Sequence, residues 1–225
     1  MPGLSSATAA REASRAGGKI VSRTDPGVED CVILIGGEGR RLGRRKESVE
    51  IGGETLLDRH LERWKALFPR LWVSRREISE DGGEGGSHPP HVIVDPPGSE
   101  GVIDVIAGIL EQTGAPTMVI AVDLPLLPVS LVERLIQLHR RGTSVIPRNN
   151  LRLEPLAAVY DPSAIDGIAT LIDNGCRSLQ QLPSACSCSL PRWPQDLEKW
   201  AGGVADPFFN LNTPEDLKQL DELER

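Results

Sequence analysis

Residues 36 to 46 read GGEGRRLGRRK, and they bring together two kinds of residue that anion chemistry needs. Gly36, Gly37, Gly39 and Gly43 let the backbone turn tightly and present its N–H groups to an anion. Arg40, Arg41, Arg44, Arg45 and Lys46 place five cations within seven residues of a chain whose formal net charge is -7. Such a concentration suits a triphosphate and a pyrophosphate leaving group. The spacing departs from two known phosphate loops: the dinucleotide fingerprint needs G-x-G-x-x-G, and a Walker loop needs Gly directly before its Lys. A dehydrogenase and a P-loop NTPase are therefore disfavoured. A solvated basic turn is the bland alternative, and the position of the loop directly after a buried strand weighs against it.

Two acids end predicted strands. Asp123 follows MVIAV (118–122), at the carboxyl end of a predicted central strand, where open α/β sheets place their ligands. Its carboxylate is a hard oxygen ligand of the kind Mg²⁺ prefers, although an Asp before Leu124 and Pro125 is also a plain turn residue. Asp95 follows HVIV (91–94) and precedes Pro96 and Pro97, so the same two readings stay open.

The elements that must hold these groups alternate as βα units, which implies a mostly parallel sheet. CVILI (31–35) is a continuous apolar run, as in a strand buried on both faces. A helix is expected from about Thr55, carrying Leu57, Leu61, Trp64 and Phe68 at helical spacing, and then a strand LWVS (71–74). Val102 to Leu110 reads as a buried helix. Ser130 and Glu133 have capping-box spacing for a helix over 131–140 closed by Gly142. Asp161 and Pro162 open a further helix that stops at Asn174 and Gly175, between strands near 144–146 and 156–160. Thr213 and Pro214 start the last helix. Residues 79–90 are expected to form a polar, Gly- and Pro-rich surface loop. Residues 1–29 lack apolar periodicity and are expected to be a disordered tail before one domain over 30–225.

Composition narrows the classes. An acidic chain with a pI near 5.2 is a poor nucleic-acid binder, and no apolar run reaches the length of a membrane span. Cys31, Cys176, Cys186 and Cys188 form no C-x-x-C pair and have no His at ligand spacing, which disfavours structural zinc. The thiols are expected to be reduced and the protein cytoplasmic, with Cys31 a small core residue and Cys186 and Cys188 on one strand face. A monomer is expected, since the core accounts for the apolar helix faces.

LIGGEGRRLGRRK resembles the LAGG-x-x-x-R-M-G-x-x-K loop of the glycosyltransferase-A-like nucleotidyltransferases, specifically the molybdenum cofactor guanylyltransferases of the MobA type. IGGETLLDRHLERW, VIVD, AVDLPLLP, EPLAAVY and FFNLNTPEDL resemble further segments of that family in the same order, from residue 31 to about 220. The resemblance implies a single three-layer αβα domain around a Rossmann-like sheet, as in nucleotide-diphospho-sugar transferases. It implies that Leu34, Ile35, Gly36 and Gly37 meet the nucleotide, that Lys46 with Arg41 acts on phosphates, and that Asp95 helps seat the nucleoside. Asp123 would bind Mg²⁺, while Asn210 and Asn212 would lie near the acceptor end. The implied reaction moves GMP from GTP to Mo-molybdopterin, with molybdoenzyme-maturation proteins as further partners. Ile35, Leu42, Arg45, Ser74 and Asp104-Val105 depart from the family pattern and bear on the choice of base and acceptor. A cytidylyltransferase, a sugar-phosphate nucleotidyltransferase and a non-catalytic nucleotide carrier are the rival readings.

Overall fold

In the computed structural model, residues 27–35, 42–76 and 91–223 are described. The expected tail over 1–29 lies outside them except for its last three residues, and the expected loop at 79–90 lies outside them entirely. Seven strands form the main sheet: β1 (Asp30–Leu34), β2 (Arg70–Arg75), β3 (His91–Val94), β4 (Thr117–Ala121), β5 (Ser144–Val145), β6 (Ala157–Tyr160) and β7 (Cys188–Ser189). Their order across the sheet is β3-β2-β1-β4-β6-β5-β7. Only the two pairings made by β6 are antiparallel.

The helices are α1 (Leu56–Trp64), α2 (Val102–Thr113), α3 (Val129–Leu138), α4 (Ile165–Asp173), the single turn α5 (Leu182–Ala185) and α6 (Pro214–Leu223). Because side chains alternate along a strand, β1 serves two cores at once. Cys31, Ile33 and Ile35 pack with Leu56 and Trp64 of α1, Leu131 and Leu135 of α3 and Leu220 of α6. Val32 and Leu34 pack on the other face with Ile103, Ile106 and Ile109 of α2 and Ile168 of α4. This is the expected αβα arrangement. Each fully buried Ile or Leu on α2 contributes roughly 1.5–3 kcal/mol.

Local chemistry sets the helix ends. Thr55 Oγ1 accepts from Asp58 N at 3.1 Å, and Thr213 Oγ1 accepts from Asp216 N at 3.2 Å. Asp161 accepts from Ser163 N at 3.0 Å ahead of the turn that leads into α4. The capping box expected at Ser130 and Glu133 does not form. The helix starts two residues earlier than expected, at Val129 behind Pro128, and Ser130 Oγ instead donates to the Trp200 carbonyl at 2.6 Å. A tertiary acceptor has taken the hydroxyl, and Pro128, preset near helical φ, supplies the start. The helix also ends at Leu138, so Gly142 (φ 79°) belongs to the turn that joins Arg140 to Thr143 and not to the helix end.

Cys31 is fully buried, and burial pushes its thiol well above the usual range. Cys186 and Cys188 do come together, with their sulfurs 3.7 Å apart, although only Cys188 lies within a strand. No helix among the described residues is long and apolar enough to cross a membrane.

Candidate active site

The carboxyl ends of β3, β2, β1 and β4 point the same way, and the chain reverses direction across the sheet between β1 and β4. The connections leaving the two paired strands part there in opposite directions, and a crevice forms outside their carboxyl ends. It is an open cleft lined by Leu34, Lys46, Ser74, Asp95, Val102, Val105, Ala121, Val122, Asp123 and Leu156.

Lys46 reaches this cleft from a turn pinned on both sides. It opens a single 3-10 turn over Lys46–Ser48, after which Val49 is buried in the core. Glu50–Ile51 and Glu54–Thr55 then pair as a hairpin whose turn residues, Gly52 and Gly53, have φ of 61° and 86°. That left-handed pair makes the tight return which glycine permits and other residues resist. The hairpin delivers the chain to α1, so the Lys46 turn is fixed to the helix that follows.

The Lys46 ammonium donates to Asp123 Oδ2 at 2.5 Å and to Asn212 Oδ1 at 2.6 Å. Both charged side chains are mostly buried, at 17% and 16% exposure, which strengthens their attraction relative to a surface pair. Asp123 Oδ1 is buried and finds no hydrogen-bond partner among the described residues. A buried carboxylate oxygen without a donor is costly, and a cation or a donor group from a ligand would satisfy it. No group of three or more His, Cys, Asp or Glu suited to a metal occurs among the described residues. Asp123 is thus a lone carboxylate of the kind that can share a Mg²⁺ ion with substrate phosphates.

The backbone around Asp123 is held from three directions. Val122 N donates to the Leu34 carbonyl of β1 at 3.0 Å, and Leu211 N donates to the Asp123 carbonyl at 2.9 Å. Arg63 of α1 donates to the carbonyls of Pro125 and Leu127 at 2.6 and 3.1 Å. His60 Nε2 lies 3.0 Å from the Val122 carbonyl. Burial, then the nearby Arg63 charge, pushes the His60 imidazolium down to about 3, so the ring is neutral near pH 7.

At the other side of the cleft, Ser74 Oγ donates to Asp95 Oδ1. Asp95 N donates to the Arg75 carbonyl at 2.8 Å, which fixes the residue just beyond β3. Behind it, α2 comes so close that a Cβ at Gly108 would lie 2.4 Å from Pro96 Cγ. Glycine at 108 is what allows the helix to brace the Asp95-Pro96 corner.

Four of the residues singled out in the sequence, Leu34, Lys46, Asp95 and Asp123, line one cleft, and Asn212 is bonded to Lys46. Ile35 packs its side chain into the core on the opposite face of the sheet. Asn210 is exposed and donates to the Phe208 carbonyl at 3.1 Å, away from the cleft lining. Gly36, Gly37 and Arg41 lie outside the described residues. Ser74 stood out in the sequence only as a departure from a family pattern, and its strand-end position was the signal. Val105 likewise stood out only as a departure from that pattern, while the other apolar walls, Val102 and Leu156, and the supports His60 and Arg63 were not singled out as site residues.

Residues 31–187 match the family described as MobA-like NTP transferase domain. The molybdenum cofactor guanylyltransferase of Rhodobacter capsulatus is 32% identical over 201 residues, covering 85% of this chain and 94% of that protein. The Rhizobium meliloti molybdenum cofactor guanylyltransferase is 28% identical over 205 residues, covering 85% and 89%. Among solved structures, molybdopterin-guanine dinucleotide biosynthesis protein A from Archaeoglobus fulgidus superposes with a TM-score of 0.71 at 26% identity, covering 86% of this chain and 97% of that one. The 2-C-methyl-D-erythritol 4-phosphate cytidylyltransferase of Thermus thermophilus shares the fold, with a TM-score of 0.61 at 17% identity over 87% of this chain and 98% of that one.

Proposed function

This chain belongs to the family of MobA-like NTP transferase domains, and from that premise we propose that it transfers GMP from GTP to the terminal phosphate of Mo-molybdopterin. The products are the Mo-molybdopterin guanine dinucleotide cofactor and pyrophosphate. The observation that carries this reading is the junction of Lys46 with Asp123 and Asn212 at one end of a cleft whose other end holds Ser74 and Asp95. One end suits phosphates and the other a nucleoside.

An oxygen of the acceptor phosphate forms a new bond to the α-phosphorus, the bond from that phosphorus to the bridging oxygen breaks, and pyrophosphate departs. Asp123, through its unpartnered Oδ1, would hold Mg²⁺ together with substrate phosphate oxygens. When bound, that ion supplies charge neutralisation on the transferring and leaving oxygens. Lys46 exchanges its short bond to Asp123 for phosphate oxygens while Asn212 keeps the ammonium in place. Gly36, Gly37 and Arg41 complete the phosphate loop in this reading, and Leu34 with Ile35 lies where the nucleotide enters it. Asp95, oriented by Ser74, accepts from the nucleoside, and Val102, Val105 and Leu156 exclude water from one wall. Asn210 and Asn212 precede α6 on the side where the acceptor would approach.

The test is pyrophosphate release by the purified protein with Mg²⁺, Mo-molybdopterin and each of GTP, CTP, ATP and UTP in turn. GTP alone should support turnover. Turnover with CTP in its place would make the protein a cytidylyl relative, and nucleotide binding without pyrophosphate release would make it a carrier.

A further inference from the structure

We propose that His60 of α1 is a positioning residue for Asp123, holding the peptide in front of the carboxylate through a ring nitrogen whose proton Trp64 dictates. The inference rests on the nucleotidyl-transfer reading and adds a residue that touches neither substrate nor the reacting atoms.

His60 is 1% exposed and sits where α1 packs against the sheet. Trp64, one helical turn further on and fully buried, places its indole Nε1 3.1 Å from His60 Nδ1. An indole nitrogen can only donate, so Nδ1 must be the acceptor of a neutral ring. The ring proton therefore resides on Nε2. Nε2 is 3.0 Å from the Val122 carbonyl and donates to it. One buried side chain thus fixes the tautomer of another, and the second grips the backbone.

The gripped carbonyl matters because of its place in the chain. The carbonyl of Val122 and the N–H of Asp123 belong to one planar peptide unit, so fixing the first fixes the second. Beyond Ala121 the chain leaves β4 in a tight turn, with Leu124 N bonded to the Ala121 carbonyl at 3.2 Å. Arg63 and Leu211 hold the later carbonyls of that turn, and among the described residues His60 is the side chain that acts on the peptide leading directly into Asp123. The Asp123 side chain then meets the Lys46 ammonium, so a shift of this peptide would carry the carboxylate away from its partner. An apolar residue would fill the α1 face equally well. A histidine there buries two polar nitrogens, a cost offset because both are bonded.

Three variants separate positioning from packing. His60→Leu keeps similar volume without a donor, His60→Gln keeps an N–H donor, and Trp64→Phe leaves Nδ1 without its partner. His60→Leu should lower kcat by about 10- to 100-fold, the range seen when supports of a metal-binding group are removed, with KM for GTP little changed. Mn²⁺ affinity, read by electron paramagnetic resonance without nucleotide, should fall with it. His60→Gln should recover most of both. Nitrogen NMR of the parent protein should show His60 protonated on Nε2, and Trp64→Phe should give a second tautomer together with a lower kcat.

A folded His60→Leu protein with parental kcat and parental Mn²⁺ affinity overturns the proposal. So does an Nδ1-protonated ring in the parent, or equal loss in the Gln and Leu variants. If His60→Leu does not fold, Trp64→Phe decides: an unchanged tautomer with unchanged kcat sinks the idea. A parent protein with no guanylyl transfer at all refutes the proposed function instead, and the Mn²⁺ and NMR measurements still judge His60.

Discussion

Lys46 Nζ lies 2.5 Å from Asp123 Oδ2, closing a contact between residues 77 positions apart, and Asn212 completes the cradle from a further 89 residues along the chain. Three separate loops meet at one ammonium, and each arrives from a different strand end or helix start. A pair so placed faces two demands. With no phosphate present the carboxylate is the ammonium's best partner, and with a triphosphate present it must yield.

Replacing Asp123 by Asn keeps the shape of the side chain and removes its charge. Pyrophosphate release should fall by roughly 100-fold or more, in line with the loss of a preorganised electrostatic group. Lys46 would keep Asn212 as a partner, but a mostly buried ammonium would lose its counter-charge, so stability should also drop, by about 1–3 kcal/mol. Steady-state kinetics and a urea melt measure the two effects separately. Parental turnover in a folded Asp123→Asn protein would remove the metal-binding role.

Lys46→Ala acts on the other half of the pair. Its ammonium is the described cation nearest the cleft acid, so its loss should weaken GTP binding and slow transfer together. A rise of about tenfold in KM for GTP corresponds to about 1.4 kcal/mol of lost binding. Lys46→Arg should not restore activity, because a forked guanidinium cannot occupy the space between Asp123 and Asn212 as a compact ammonium does. Initial-rate kinetics of both variants check this, and near-parental activity in Lys46→Arg would argue for charge alone.

Asp95 is bonded to Ser74 and braced by Pro96 against Gly108, so it presents a fixed acceptor at the nucleoside end of the cleft. Asp95→Asn turns part of that acceptor into a donor. KM for GTP should rise while kcat changes little, the pattern expected when a contact serves ground state and transition state alike. A fall in kcat with unchanged KM would instead tie Asp95 to the chemical step.

Much of this fold was legible because its signals are local. The apolar run at β1, the helix expected from about Thr55 and the helix start at Thr213 need only a few residues to be read. The Ser130 capping box misled because the competing acceptor, the Trp200 carbonyl, is 70 positions away. The site divides in the same way. Lys46, Asp95 and Asp123 announce themselves by type and by their place after predicted strands, and the structure brings all three to one cleft. Asn212 is legible as a motif member, but its bond to Lys46 spans 166 positions and no spacing rule contains it. His60 reads as one more residue on an amphipathic helix, and only the Trp64 bond one turn away distinguishes it from packing.

Glu154 is a half-buried carboxyl outside the cleft lining. It directly precedes the Pro155-Leu156 segment, and Leu156 forms part of the cleft wall. Burial raises its pKa to about 7 against an ordinary 4.5; Asn149 and Arg152 oppose the rise, and the charge of Asp206 adds to it. Between these two values the unfolded chain has lost the proton and the folded protein still holds it. Stability must then fall as pH rises from about 4.5 through about 7, and level off above. Glu154→Gln carries no titrating proton at this position, so its stability relative to the parent should climb across that window and stay constant at higher pH. Urea melts of both proteins at several pH values measure the difference, in which the titrations of all other groups largely cancel. A difference that does not vary with pH would mean that the Glu154 carboxyl ionises as it does in the unfolded chain, and that burial beside Asp206 leaves it unchanged.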